Sequence, residues 1–367
     1  MVRPQVRVLI SGDLPAGNLP TETGTLFFIH AGATGPTTPT RVSSAAQAED
    51  AGVTAALAAW IGDAIAQGVA SVIVVRATPT GEETDPDWAG ALDLLTPSWG
   101  PGQVTIPGES TTTAHSAILA HVAANPQRIG LLDAAEDATA SDLTQLAAAL
   151  AAEAGADRTG LIAPWVSLPG IGSSRSVPGS IIVAGLAARG DGEVGHANQA
   201  PIFDQGRAAG SVRNALGVSS TFPDREVDDL YEAGVNVIRE VGGVITLTGF
   251  RSLGGDAVWR QLNIGRLTME ISAQVGSLMY QFLGAPIDGQ GILLSQVGGV
   301  VTGYLLDLYN AGAVFGATPE EAFTVVCDFT NNTAETIAAG EVHADVAVTA
   351  STAAEQIVIN VVTSLAS

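Results

Sequence analysis

Apolar residues along this chain change period several times. Residues 25–30 (TLFFIH) and 71–75 (SVIVV) are short apolar runs, and between them Leu57, Trp60, Ile61, Ala64 and Ile65 recur at helical spacing up to Gly68. A strand, a helix and a strand in that order predict a parallel sheet with a crossover helix. Ser44 with Gln47 reads as a capping box ahead of that helix. The alternation continues with strands at 104–107, 129–133 and 160–163, and helices at 114–124, 141–154, 180–188 and 224–233. Strands at 235–238 and 244–247 turn through Gly242-Gly243. From Asp256 the pattern becomes two long helices, 256–283 and 292–312, then strands at 323–329, 342–348 and 356–362. Val342, Ala344, Val346 and Val348 share one strand face, with His343 and Asp345 on the other.

Both ends carry alternating apolar positions. Val6, Val8 and Ile10 precede a Gly/Pro-rich stretch at 12–24, and Ile357, Ile359 and Val361 lie in the β-branched run IVINVV. A strand joined to the body by a loop can add to the sheet edge of a neighbouring molecule, so these six residues are candidate inter-subunit strand arms.

The net charge of −22, with 15 arginines and no lysine, argues against nucleic-acid binding, which needs a basic face to release phosphate counterions. After Arg266 no cation follows, whereas Glu270, Asp288, Asp307, Glu320, Glu321, Asp328, Glu335, Glu341, Asp345 and Glu355 all do. Such a segment is either a solvated acidic surface or one suited to a basic partner. Charged residues make up 14%, so much of the surface must be small, neutral or apolar, as in a subunit flanked by copies or in an alanine-rich composition. Eighteen uncharged residues separate Asp288 from Asp307, but their glycines, glutamines and hydroxyls favour a buried helix over a membrane span. The N-terminus shows no apolar run of the kind a secretion signal needs. Cys327 is the sole cysteine and reads as a small core residue.

Chemistry is scarce in the sequence. His30, His115, His121, His196 and His343 stand outside any metal-binding spacing, and a chain without lysine has neither a Walker-A loop nor a Schiff base. Gly170-Ile171-Gly172 begins like a dinucleotide fingerprint without its third glycine. Asp133 reads as a loop cap and His115 as a surface residue. Trp259, Leu262, Arg266 and Glu270 fall at helical spacing, giving a core stripe with an Arg266–Glu270 surface pair. Arg189-Gly190-Asp191 matches an adhesion tripeptide, too short to inform. No catalytic residue, cofactor or metal is expected.

Several segments in order resemble the contractile tail sheath family. They are Glu232-Ala233-Gly234-Val235-Asn236, Gly249-Phe250-Arg251-Ser252-Leu253, Trp259 with Arg266, Gly312-Ala313 with Gly316, Glu321-Ala322-Phe323 and Asn331-Asn332. Pro178, the phrase from Ser180 to Asp191, and Ala200-Pro201 extend the likeness, although Gly179 stands where the family often has a second proline. The resemblance implies an α/β architecture. An N-terminal arm (1–20) would precede a layered, subtilisin-like α/β sheath domain (21–248), followed by a C-terminal α+β domain (249–350) and a C-terminal arm strand (351–367). It is that of a small sheath subunit, because the 76–87 link is too short for an outer insertion domain. The family's role would be structural: a homopolymer around an inner tail tube protein, bounded by baseplate and tail terminator. Contraction would drive the tube through an envelope without nucleotide, nucleic-acid contact or membrane insertion. Such a subunit is assembled in the host cytoplasm and resides in the virion tail, or in a related non-viral injection system. Glu320 and Glu321, following Thr318 as N-cap and Pro319 at the first helical position, are the candidate contact to a basic tube. The alternative from another class is a doubly wound α/β enzyme or ligand-binding protein without a recognisable motif.

Overall fold

The computed structural model describes residues 20–79, 85–202 and 210–355. The two predicted arm strands, Val6, Val8, Ile10 and Ile357, Ile359, Val361, lie outside the described residues. In chain order the elements begin with β1 (Thr25–His30), β2 (Thr40–Val42), α1 (Ala45–Asp50), α2 (Ala55–Gln67) and β3 (Ser71–Arg76). Next come α3 (Trp88–Asp93), β4 (Gly102–Thr105), α4 (Thr112–Ala124), β5 (Arg128–Asp133), α5 (Ala140–Leu150) and β6 (Thr159–Ala163). The hairpin β7 (Val166–Pro169) and β8 (Ser174–Val177) is followed by α6 (Gly179–Val194), β9 (Gly217–Val218), α7 (Asp224–Glu232), β10 (Val235–Val241) and β11 (Val244–Leu247). The remainder is α8 (Leu262–Met279), α9 (Ile292–Asn310), α10 (Pro319–Ala322), β12 (Phe323–Val326), α11 (Ala334–Ala338) and β13 (Asp345–Val348).

The main sheet has the order β11-β10-β6-β5-β4-β1-β3-β2. From β3 through β1, β4, β5 and β6 to β10 every pairing is parallel, and the edges β2 and β11 are antiparallel. A sheet covered by helices on both faces needs strands that are apolar throughout, which explains the unbroken run TLFFIH. Strand alternation then divides its side chains between two cores. Leu26 and Phe28 pack with α2 and α6, while Phe27 and Ile29 pack with α3, α4 and residues of α5 and α7. A third core joins Leu267, Ile271 and Val275 of α8 to Val301 and Leu305 of α9 and to Phe323, Val346 and Val348 of the β12–β13 pair. Helix α8 bridges two cores, since its Leu262 and Met269 belong to the first one.

Several expectations need adjustment. The region 44–67 is two helices: Ser44 caps α1 through the Gln47 N–H, but the Gln47 carboxamide takes the N–H of Ser43, so the box is half-formed. Helix α6 runs six residues beyond its predicted end, to Val194 with Gly195 at φ +81° as its C-cap, because burial from Gly179 to Asp191 outweighs the low helix propensity of Gly190 and Gly192. Helix α8 starts at Leu262, and Trp259 sits in the turn before it. The strands predicted at 323–329 and 342–348 shorten to β12 and β13, as Asn332 rather than a strand partner holds the backbone of His343. Only one face of α9 is buried, through Leu293, Leu294, Val297, Val301, Leu305 and Leu308, which corrects the expectation of a buried helix. By length and apolarity α9 alone among the described helices could span a membrane. Cys327 is half-buried and belongs to none of the three cores, which corrects its reading as a core residue.

Candidate functional site

The strongest candidate for chemistry is the carboxyl end of β5. Asp133 is fully buried and its carboxylate accepts three hydrogen bonds: from Ser180 N (2.8 Å), Ser180 Oγ (2.6 Å) and Gly108 N (3.0 Å). Thr105 Oγ1 donates to Ser180 Oγ in turn at 2.9 Å. His115 is buried as well, which corrects its assignment to the surface, and its Nε2 lies 3.0 Å from the backbone oxygen of Asp133. A Ser-His-Asp relay requires the imidazole between hydroxyl and carboxylate. Here serine meets carboxylate directly, and Ser180 is completely inaccessible. The cluster therefore works as a cap. Pro178 gives α6 no side-chain cap, and Asp133 supplies the missing acceptor from the end of β5. Burial pushes its pKa up to about 6 against the hydrogen bonds of Ser180 and Gly108, and burial lowers that of His115.

A denser polar site lies where α8 meets the end of α6. Arg266, wholly buried, forms a bidentate pair with Asp191 at 2.7 and 2.6 Å, and Thr23 donates to the same carboxylate at 2.6 Å. One turn on, Glu270 accepts from Ala197 N (2.6 Å) and from Tyr304 Oη (3.2 Å). The expected Arg266–Glu270 surface pair is thus replaced by two buried contacts, each tying α8 to a different neighbour. Burial raises the Glu270 pKa in spite of the Ala197 hydrogen bond, and burial likewise raises Tyr304. Asn198 fastens the same seam, donating to Ala313 O and Ser351 O, with its own Oδ1 taking a hydrogen bond from Asn263. Removing one partner of a buried bidentate pair costs about 3–5 kcal/mol because the other charge is left buried and unpaired, so Arg266 and Asp191 depend on each other.

Two asparagines that the sequence singles out are backbone clamps. Asn236 bonds Leu161 O and both the N–H and C=O of Arg251, and Asn332 bonds both backbone groups of His343. Gly234 at φ +83° is required because a Cβ there would stand 2.8 Å from Ser252 O. Glu320 and Glu321 are exposed in the single turn of α10. Thr318 occupies the N-cap position without a side-chain cap bond, and Glu321 accepts from Ala317 N at 3.0 Å. The same third of the chain exposes apolar side chains. Of the ten large apolar side chains exposed among the described residues, six fall between Leu283 and Phe329, with Phe315 69% accessible. A groove of about 370 Å³ opens between α8, α9 and the stretch leading into β13, lined by Val275, Met279, Val297, Val342 and Val346 among others. Among the described residues β13 pairs with β12 alone, and its Asp345 and Val346 line that groove. No group of three or more His, Cys, Asp or Glu residues suited to a metal ion occurs among the described residues.

No protein-family model and no curated protein matches the chain in sequence. Solved structures do match in fold. One is a chain of the anti-feeding prophage baseplate in its six-fold symmetrised form, at TM-score 0.73 and 19% identity over 100% of both chains. Another is from the sheath complex of an extracellular contractile injection system, PVC, in the contracted state, at TM-score 0.75 and 18% identity over 100% of this chain and 98% of that one. A sheath tail protein from Desulfitobacterium hafniense aligns at TM-score 0.58 and 10% identity, covering 88% and 93%. At these identities the likeness is one of fold: the chain has, over its whole length, the architecture found in sheaths of contractile injection systems.

Proposed function

We propose that this protein is a structural, non-enzymatic subunit of a contractile sheath, which polymerises with copies of itself around an inner tube and shortens to drive the tube through a cell envelope. The observation that carries the reading is the end-to-end fold match to a sheath in its contracted state. The buried, capped condition of Asp133 and Ser180 supports it from the side of chemistry. In this reading the arms containing Val6, Val8, Ile10 and Ile357, Ile359, Val361 cross between subunits. The two-stranded β12–β13 sheet and the apolar groove lined by Val346 are suited to receive an added strand. Main-chain hydrogen bonds of that kind survive a change of subunit angle while side-chain contacts re-form.

The finer assignments belong to the same proposal. The boundary near residue 248 separates a sheath domain whose parallel sheet suits a subtilisin-like description from a C-terminal domain. Glu320 and Glu321 face a basic tube, and the polymer ends at a baseplate and a terminator. The subunit is assembled in the host cytoplasm and resides in the tail or injection apparatus. Purified full-length protein should form long tubes under negative-stain electron microscopy, and deleting residues 1–12 should leave a folded, soluble monomer. Monodisperse particles with a ligand-dependent melting shift would instead support the ligand-binding alternative.

A further inference from the structure

The stretch 351–355 returns from the third core to the main sheet as an extended strap, fixed at every second residue. Ser351 N donates to Ala313 O, and Ser351 O accepts from Asn198. Ala353 is held on both sides by one carboxamide: its N–H donates to Gln261 Oε1 at 2.8 Å and its carbonyl accepts from Gln261 Nε2 at 3.0 Å. The Gln261 side chain thus substitutes for a strand neighbour. Glu355 is then gripped by Arg251 Nη2 at 2.7 Å and by Gln261 Nε2 at 2.9 Å.

The two gripping residues face each other across a β-bridge, Arg251 opposite Gln261. Arg251 itself cannot swing. It is 5% exposed, its guanidinium lies 3.5 Å over the Tyr231 ring, Nη1 donates to Tyr231 O, and its backbone is clamped by Asn236 of β10. The dock is therefore rigid and belongs to the main sheet, whereas the chain entering it comes from the third core.

We propose that Arg251 and Gln261 form an anchor that pins the root of residues 356–367 to the main sheet. Tension on those residues then enters β10 rather than the third core. The inference rests on the sheath reading, in which the segment beyond the anchor links neighbouring subunits. Without the anchor the first fixed point retreats to Ser351. Four residues of slack, about 14 Å of extended chain, would enter each link. Slack of that size lets a subunit move without moving its neighbour, so the anchor converts a tether into a coupling.

The test uses the full-length chain with Gln261→Ala and, separately, Glu355→Ala; both residues lie at the surface of the dock, and Arg251 is left in place. In unassembled protein the Ala353 amide should be protected from hydrogen exchange, and either variant should exchange it at least about tenfold faster while exchange in β1 and β3 stays unchanged. Under assembly conditions wild type should form tubes and both variants should lose them. An unprotected Ala353 amide in wild type, or variants that form tubes of wild-type length and yield, would overturn the anchor. Should wild type itself form no tubes, the sheath reading fails, and the exchange comparison alone decides whether the anchor exists.

Discussion

At the scale of single residues, the polar groups that matter are buried and paired over long sequence distances. Asp133 reaches Ser180 over 47 positions, and Arg266 reaches Asp191 over 75. No local spacing announces such pairs, which is why Arg266 and Glu270, four apart on one helix, read as partners of each other. Asp133 also gives a pH signature. Its pKa is raised from 3.8 to about 6, so the folded protein holds a proton there that the unfolded chain releases at lower pH. Between about pH 4 and 6 the native state binds more protons. Stability from this group is therefore full below pH 4, declines by about 3 kcal/mol through that window, and is flat above it. Melting temperatures recorded from pH 4 to 7 should fall less steeply in Asp133→Asn than in wild type. The variant should start from a lower value, since an amide offers fewer acceptors to Ser180 and Gly108. Parallel slopes in the two proteins would show that Asp133 titrates normally.

Helices and strands were visible in the sequence wherever apolar residues repeat, as in β1, β3 and the hairpin β10–β11. Their ends were less legible, because tertiary contacts set them. Helix α6 persists to its glycine-containing last turns because most of its length is packed between α2 and the strands β4, β5 and β6, and its Gly185 lies hard against α2. A Cβ at Gly185 would stand 2.2 Å from Gln67 Cβ and 3.1 Å from Ala64 O, whereas one at Gly192 in the same helix meets nothing within 4 Å. Gly185→Ala should thus destabilise the protein by about 1–3 kcal/mol through overpacking, while Gly192→Ala should be neutral or gain up to about 1 kcal/mol from helix propensity. Thermal unfolding of the two variants side by side checks this, and equal melting temperatures would mean that α2 shifts freely. Helix α9 makes the converse point. Its composition hides the fact that only one face is covered, because its exposed residues include the apolar Ile292 and Leu306 and a single charge, Asp307.

Across the whole molecule the charge is divided. Every arginine lies at or before Arg266, and the ten acids that follow have no cation among them. Apart from the buried Glu270 and the Arg251-bound Glu355, acids so placed attract a basic partner at long range, weakly per contact and reversibly in salt. Glu320→Gln combined with Glu321→Gln is expected to reduce co-sedimentation with a tube protein while sheath-only tubes form normally. Raising salt should weaken the wild-type association in the same way. Co-assembly unchanged in both experiments would remove α10 from the tube interface.

The alternation of apolar strands and amphipathic helices was sufficient to specify a parallel α/β sheet followed by a helical and β segment, because buried faces impose a period that shows locally. Net charge and the absence of lysine likewise limited the chemistry without any coordinates. The ordered residues from Glu232 to Asn332 pointed to the sheath fold. The structure assigned physical duties to several of them, Asn236 and Asn332 clamping backbone and Arg251 gripping Glu355. Only tertiary structure could decide that Ser180 and Asp133 cap a helix, that Arg266 joins two cores, and that the strap at 351–355 ends on the main sheet. Each depends on which distant groups are brought together after water is excluded, and a desolvated polar atom is satisfied by proximity in space rather than in sequence.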